Sequence, residues 1–500
     1  MEREHTDFQM TRQLPSLASV NSPISYGQML RARMQTVPKS LLLGCLSGCL
    51  ALAVYILTIA PDITWSNFSS DGGELITASV TLGIAHPPGY PTYILLGKLF
   101  SLLPLGTIAF RFNLFSALAM AVAAAFATAM AFENLRTDKT VWPAALAAGL
   151  AFAFSPLVWS QATVAEVYAL NLAVLSIFLW SLLTKRSPLL TGFLLGLAIT
   201  THLTSLLMLP VGLALTPRDH RRRLTLGIIL GILPLLALPL LGQLDSPVIW
   251  GVPMTLKGWW WLVSGQLYSA NLSLPESSQA LLNHLSQWSA TILRQFAWIG
   301  WLFVIIGILA NRLGERRTRC LLGSVAMYVV FTIAYSTNDS ILNFLPALLL
   351  LTPLLAVGLT VVSYWSLLLP LLLLILNFQS QNLHHEQQLR PSVETVLREI
   401  PENAILLTPG DQSIFSLWYF QHVEGRRPDL FLVDANMFAF DWYRERLALR
   451  YPQLEGLSTD NVTSFQELNA RIRPFCDLTL QAPQDVTCHS WSPSVPIPDG

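Results

Sequence analysis

Apolar runs of bilayer-spanning length recur from residue 40 to residue 378, separated by short polar breaks. The first covers residues 40–60, and a second at 108–132 follows a long loop over 61–107. A hairpin at 141–154 and 167–183 comes next, then an apolar block over 189–215 broken at Thr200-Thr201-His202. Residues 224–241 cross again, and 242–290 form a second long loop whose Trp259-Trp260-Trp261 suits a membrane interface. Runs at 292–310, 321–335, 341–361 and 365–378 complete eleven expected spans, the last pair joined by an uncharged turn near Ser363. Within the first loop, residues 72–83 and 91–103 read as short helices lying along the interface.

Past residue 391 the pattern changes. Residues 404–408 and 430–434 read as strands around an amphipathic helix at 411–423, a βαβ unit in a separate polar domain over 391–500. Asp411 and Asp434 fall at strand C-termini, where open α/β sheets bind ligands. Residues 1–39 are polar and without period, the signature of a disordered cytoplasmic tail.

Charge orients this frame. Arg31, Arg33 and Lys39 precede the first span, and Arg136, Lys139, Lys185, Arg186, Arg218, Arg221 to Arg223 and Arg312 to Arg319 recur at every second turn. The turns at 155–166, 200–203 and 336–343 hold no Lys or Arg. The positive-inside rule therefore puts both long loops and the C-terminal domain on the exoplasmic side. The chain is 53% hydrophobic and only 12% charged, about half the charge of a soluble domain. Its formal net charge of zero gives no argument for nucleic-acid binding. Cys476 and Cys488 in the exoplasmic tail could pair or stay free, and Cys45, Cys49 and Cys320 read as packing residues.

Against so low a charge content, Asp71-Gly72-Gly73-Glu74 and His86-Pro87-Pro88-Gly89-Tyr90-Pro91 in the first loop stand out. Two carboxylates three residues apart share a helix face, and an imidazole follows at a turn. The plainer alternative is a capping box, with Asp71 as N-cap and Glu74 reaching back. Glycines 72 and 73 are poor first-turn residues but let backbone or substrate approach closely. Lys98 and Arg111 are either snorkelling cations or partners for a lipid phosphate. Glu166 at a helix start and His202 in a helix break are ionisable groups at membrane depth, which marks them as functional candidates. No metal-ligand spacing, Walker loop or dinucleotide fingerprint is present, so soluble nucleotide donors have no cradle.

The run from Asp71 to Pro91 resembles the signature of a family of multi-pass membrane O-mannosyltransferase-like proteins. That family was long catalogued as a domain of unknown function and includes the animal endoplasmic-reticulum enzyme acting on plexin and Met-type receptors. Residues 159–168, ending in Glu166-Val167-Tyr168, residues 196–202, ending in His202, and residues 410–419 also fit. The resemblance implies an all-α polytopic GT-C-like fold over 40–378 with a small C-terminal α/β exoplasmic domain. It implies transfer of a sugar, most simply mannose, from a polyprenyl-phosphate donor to an acceptor hydroxyl on a protein or glycan, without a cofactor. Asp71 and Glu74 would be catalytic. His86, Tyr90, Lys98, Arg111, Glu166, Tyr168 and His202 would bind substrate, with no metal ligands. A transporter or flippase, or a non-catalytic assembly factor, are the rival classes. A transporter would spread ionisable residues across mid-membrane rather than gather them on one side. The location implied is the inner membrane of a bacterium or the endoplasmic reticulum of a eukaryote.

Overall fold

Apolar periodicity is realised as a bundle of helices of unequal length. The structure, a computed structural model, describes residues 38–135, 141–273, 277–310, 312–480 and 485–489. The expected N-terminal tail up to residue 37, and Arg136 and Lys139, lie outside the described residues. In chain order the helices that frame the site are α1 (Lys39–Thr58), α2 (Gly72–Thr81), α3 (Pro91–Ser101), α4 (Ile108–Asn134), α5 (Trp142–Ala153), α6 (Pro156–Ala162), α7 (Val167–Leu183), α8 (Pro188–Thr201) and α9 (Arg221–Gly231). After them come α10 (Leu345–Leu359), α11 (Leu368–Gln381), α12 (Leu389–Glu399), α13 (Asp411–Trp418) and α14 (Asp441–Arg450).

Helix α10 is apolar on all sides, and every one of its residues is buried, as expected for the centre of a bundle. Helices α8 and α9 meet through glycines. A Cβ on Gly192 would stand 2.0 Å from the Leu224 carbonyl oxygen, so only a hydrogen there permits the crossing.

Five described helices or merged helical stretches are long and apolar enough to cross a membrane, and two further bent pairs raise this to seven. Length and composition alone therefore do not reach the eleven spans expected. Kinks shorten several segments: residues 281–294 and 299–310 meet at 86°, and α5 and α6 at 65°. The stretch Ser340–Gln381 counts as a single candidate of 42 residues. Straight, it would extend roughly 63 Å, twice a bilayer core. The chain instead reverses at Ser363, whose φ is 49°. Tyr364 packs on Trp142 at the start of α5. Asn377 donates to the Phe154 carbonyl just past the end of α5. Helix α11 thus runs back along α5, and Leu383 N donates to the Thr58 carbonyl at the end of α1. The C-terminal residues consequently emerge on the same side as the first loop.

There they form a sheet in the order β2-β1-β3-β4, with β1 (Ile405–Thr408), β2 (Phe431–Asp434), β3 (Phe475–Thr479) and β4 (Asp485–His489). β1 is parallel to β2 and β3, and β3 is antiparallel to β4. Both β1 and β2 are buried throughout and consist of apolar residues closed by Thr408 and Asp434, as suits parallel strands covered on both faces. A disulfide joins Cys476 to Cys488 across the β3–β4 pair. The described residues from Ser40 onward form one compact unit, so the sheet packs with the bundle.

One ion cluster fastens this junction. The Arg390 guanidinium donates to Asp62 and, through Nη1 at 2.8 Å and Nη2 at 2.5 Å, to Glu424. Removing the cation would leave two largely buried carboxylates facing each other. Arg390→Ala is expected to destabilise the protein by roughly 2–3 kcal/mol, less than a fully buried pair because Arg390 keeps some solvent contact. Thermal unfolding in detergent measures this, and an unchanged transition would show the cluster to be ornamental.

Candidate active site

Asp71 stands immediately before α2 in a helical conformation, and its side chain makes no cap bond. Glu74 does not reach back to it, so the capping-box alternative is not what this segment forms. The Glu74 side chain is fully buried and turns toward the next turn of chain. Its Oε1 accepts the His86 backbone N–H at 3.1 Å and the Trp250 indole N–H. Its Oε2 lies 2.5 Å from His86 Nδ1. The other imidazole nitrogen, Nε2, is 3.2 Å from the Tyr90 hydroxyl and 3.7 Å from Asp71 Oδ2. Asp71 keeps 30% of its side-chain surface, against none for Glu74. The result is a chain of groups, Trp250–Glu74–His86–Asp71, with only its last member open to a substrate.

Three local features build this arrangement. The turn after His86 closes on itself through Gly89 N to the His86 carbonyl, and Pro91 then starts α3 with Tyr90 before it at φ 43°. Residues 82–90 pair with the second long loop: Ile84 N donates to the Val248 carbonyl at 2.8 Å and Trp250 N to the Ile84 carbonyl. That short parallel bridge delivers the Trp250 indole to Glu74. Gly73 faces α13, where a Cβ would meet the Phe415 carbonyl oxygen at 2.3 Å. The close approach that this glycine permits is therefore to the chain's own backbone.

Helix α13 forms one wall. Phe415 lies parallel to the His86 ring at 6.5 Å, and Trp65 Nε1 donates to Ser416 Oγ at 3.0 Å. Trp250 and Tyr268 approach the same imidazole edge-on at 6.2 and 6.1 Å. On the far side of Tyr90 the rings of Tyr168 and His202 meet at 5.1 Å, and Tyr168 donates to Asp339. His202 Nδ1 is 2.7 Å from the Thr204 hydroxyl. Glu166 is buried, and its Oε1 has no hydrogen-bond partner among the described residues.

Not every sequence candidate joins this cluster. Lys98 Nζ donates to the Val80 carbonyl near the end of α2, roughly 14 Å of helix from Asp71. Arg111 spends its guanidinium on the carbonyls of Ser101, Leu105 and Gly106. Asp434 is also consumed locally, accepting the N–H groups of Asn436 and Met437 and the Thr408 hydroxyl. Sequence reasoning missed Trp250, Tyr268, Asp339 and Phe415 as site residues, and saw Asp411 only as a strand-end acid. Asp411 and Phe415 sat inside a motif already noticed at 410–419, and Asp339 in the last lysine-free turn; Trp250 and Tyr268 carried no signal beyond being aromatic.

The electrostatics follow from burial with too few cations. Desolvation raises the Asp71 carboxyl to about 6, helped by Glu74 and Asp339 and opposed by His86. Desolvation alone would lower His86, but Glu74 and Asp71 outweigh it and lift the imidazole to about 10. Asp411 is raised to about 7, by desolvation first and by Asp71 next. At neutral pH the His86 imidazole is therefore protonated and Asp71 ionised, near the acidity of a working base.

Gly73→Ala tests the α13 wall. The added methyl must push back a backbone carbonyl, not a flexible side-chain end, so the substitution is expected to cost about 1–3 kcal/mol. Activity should fall further than stability, because Phe415 moves with α13. Thermal unfolding and turnover measured on the same preparation check both.

Comparison with known proteins finds relatives over much of the chain. The family model described as the Protein O-mannosyl-transferase TMEM260 N-terminal domain matches residues 71–224, and TMEM260-associated domain 2 matches 390–462. The mouse Protein O-mannosyl-transferase TMEM260 is 26% identical, over 86% of this chain and 71% of its own length. A Dictyostelium discoideum protein of the same name is 22% identical, over 78% of this chain and 57% of its own. Among solved structures, ArnT from Cupriavidus metallidurans bound to undecaprenyl phosphate superposes with a TM-score of 0.57, at 15% identity, covering 87% of this chain and 92% of that one. At that identity the likeness speaks for the fold. Over residues 71–224 and 390–462 the chain is thus similar to the TMEM260 O-mannosyl-transferases, and its fold is like that of ArnT.

Proposed function

We propose that this membrane mannosyltransferase takes its sugar from a polyprenyl-phosphate donor and passes it to a hydroxyl of a polypeptide, at the exoplasmic face, with Asp71 as general base. The observation that carries the assignment is the asymmetry of the two carboxylates: Glu74 is sealed by His86 and Trp250, and Asp71 is the open end of the same chain. In the reaction the acceptor oxygen attacks C1 of the sugar while its proton passes to Asp71. The bond from C1 to the phosphate oxygen breaks, and the lipid phosphate leaves with the electron pair. The leaving group is already activated, so the scheme calls for no organic cofactor. The imidazolium of His86, held by Glu74, supplies positive charge beside the reacting atoms. Tyr90, Tyr168, Glu166 and His202 line the cleft on the sugar side. Lys98, bound to the Val80 carbonyl at the other end of α2, and Arg111, bound to carbonyls at and just after the end of α3, are left out of the reacting shell.

The undecaprenyl phosphate bound to the structurally similar ArnT supports the lipid-phosphate donor, and the names of the mouse and Dictyostelium relatives support the polypeptide acceptor. A transporter is less well supported, because the buried carboxylates and the His86 imidazole gather at one end of the bundle. Purified protein given polyprenyl-phosphate mannose and a library of Ser/Thr peptides is expected to transfer mannose. Neither transfer nor donor hydrolysis with any lipid-linked sugar would sink the proposal.

The exoplasmic assignment draws on the one-sided Lys/Arg pattern, the return of α11 to the side of Thr58, and the Cys476–Cys488 disulfide, which suits an oxidising compartment. A cysteine placed at the exposed Ser458 is expected to react with a membrane-impermeant reagent from outside only. Reaction from the cytoplasmic side alone would overturn it.

A further inference from the structure

Behind the Trp250 wall lies a second cavity, of about 440 Å³, between the second long loop and the C-terminal sheet. Trp250, Trp418 and Trp442 supply its aromatic surfaces, Arg446 and Arg450, one turn apart on α14, supply its positive charge, and the exposed Asp245 stands at its rim. Trp250 is shared: its indole N–H holds Glu74, and its ring packs on Trp442 at 5.5 Å. The cavity is thus the outward neighbour of the acid–base cluster.

Three other buried or partly buried arginines of this region are held by carboxylates. Arg390 has Asp62 and Glu424, Arg427 has Asp429, and Arg444 has Asp441. Arg446 makes a single hydrogen bond among the described residues, from Nη2 to the Gly242 carbonyl at 3.3 Å, and has no carboxylate partner there. Burial and the adjacent Arg450 both weigh against its charge. The acid facing Arg450 is Asp245, 3.6 Å away and fully exposed, a contact that solvent largely screens. The Trp442 indole N–H is buried with no acceptor among the described residues. A site with surplus guanidinium donors, an unused indole donor and aromatic walls is complementary to an anion carried on an organic chain.

We propose that this cavity is an acceptor subsite that binds an acidic side chain of the polypeptide substrate and so sets the acceptor hydroxyl on the Asp71 side of Trp250. The proposal rests on the transferase reading above, and it specifies which polypeptides are accepted: those with a carboxylate close to the modified Ser or Thr. The cavity lies on the side where the C-terminal sheet emerges.

The test is binding of short peptides to the full chain in detergent, followed by calorimetry, so that it reads the cavity without needing turnover. The probes are a Thr-containing octapeptide with two Glu residues and the same peptide with Gln in their place. The Glu peptide is expected to bind about tenfold more tightly, in line with a charge-assisted contact. Arg446→Gln with Arg450→Gln should erase that preference, and the Arg→Lys pair should restore part of it. Undecaprenyl phosphate binding should be the same in every variant, which separates loss of the cavity from loss of fold. Equal affinity for the two peptides, or a preference that survives the double Gln variant, would overturn the proposal. So would arginine-dependent binding to anionic-lipid vesicles by a protein that ignores the Glu peptide. If the protein proves to transfer no sugar at all, the peptide preference still reports on the cavity, and the two ideas fail separately.

Discussion

Asp71→Asn is expected to lower turnover by about 10²–10⁴-fold while leaving undecaprenyl phosphate binding nearly unchanged. Asparagine keeps the volume and the neighbouring Ser70 and His86 but cannot accept the acceptor proton. The pH profile gives a second reading of the same group. A base raised to about 6 must lose its proton to work, so wild-type turnover should rise with pH through about 6. The residual activity of the Asn variant should lack that limb. Near-normal turnover in Asp71→Asn together with a dead Glu74→Gln would move the base to Glu74. If both variants stay active and merely unfold more easily, the cluster is structural and the reacting centre lies elsewhere.

Glu74→Gln should have the largest effect on stability. It removes a carboxylate that is completely buried between an imidazolium and an indole N–H, and a broken buried pair costs about 3–5 kcal/mol. The pH dependence carries the sign. His86 has a folded acidity near 10 against an ordinary value of 6.5, so the imidazolium binds its proton more tightly in the folded state. Its stabilising contribution is fully present below pH 6.5 and is lost as pH rises through about 10. Glu74→Gln should flatten that decline, leaving only the part owed to Asp71. Unfolding temperatures from about pH 6 to about pH 10, in wild type and variant, measure the difference. An identical slope in both would show that Glu74 does not hold the proton on His86.

What could be read in advance depended on range along the chain. Asp71, Glu74 and His86 lie within sixteen residues in a segment otherwise poor in charge, and α2 with the turn after it folds them together. The apolar runs were equally legible, because burial of a whole helix such as α10 demands an almost wholly apolar sequence. The kinks were not. Ala297 and Trp298, both at positive φ between two helices, have side chains that do not announce such a conformation, and the bend follows from packing. Lys98 and Arg111 misled because closeness in sequence is not closeness in space: α2 carries Val80 away from Asp71, and backbone carbonyls claim both cations first. Trp250 reaches Glu74 only because Ile84 and Ile249 bridge two distant loops, a pairing without a local signature.

The docking of α13 on α2 also sets a clock. Trp65 and Ser416, bonded across that contact, are separated by 351 residues. At about 5–20 residues per second, a ribosome needs on the order of twenty to seventy seconds to get from one to the other. Through that interval the first loop is already made and the helices are entering the membrane, yet Gly73 has no Phe415 to meet and the imidazole has no wall. An enzyme that needs this wall stays inactive until the last fifth of the chain arrives, so a nascent chain stalled before residue 411 is expected to be inserted, intact and silent.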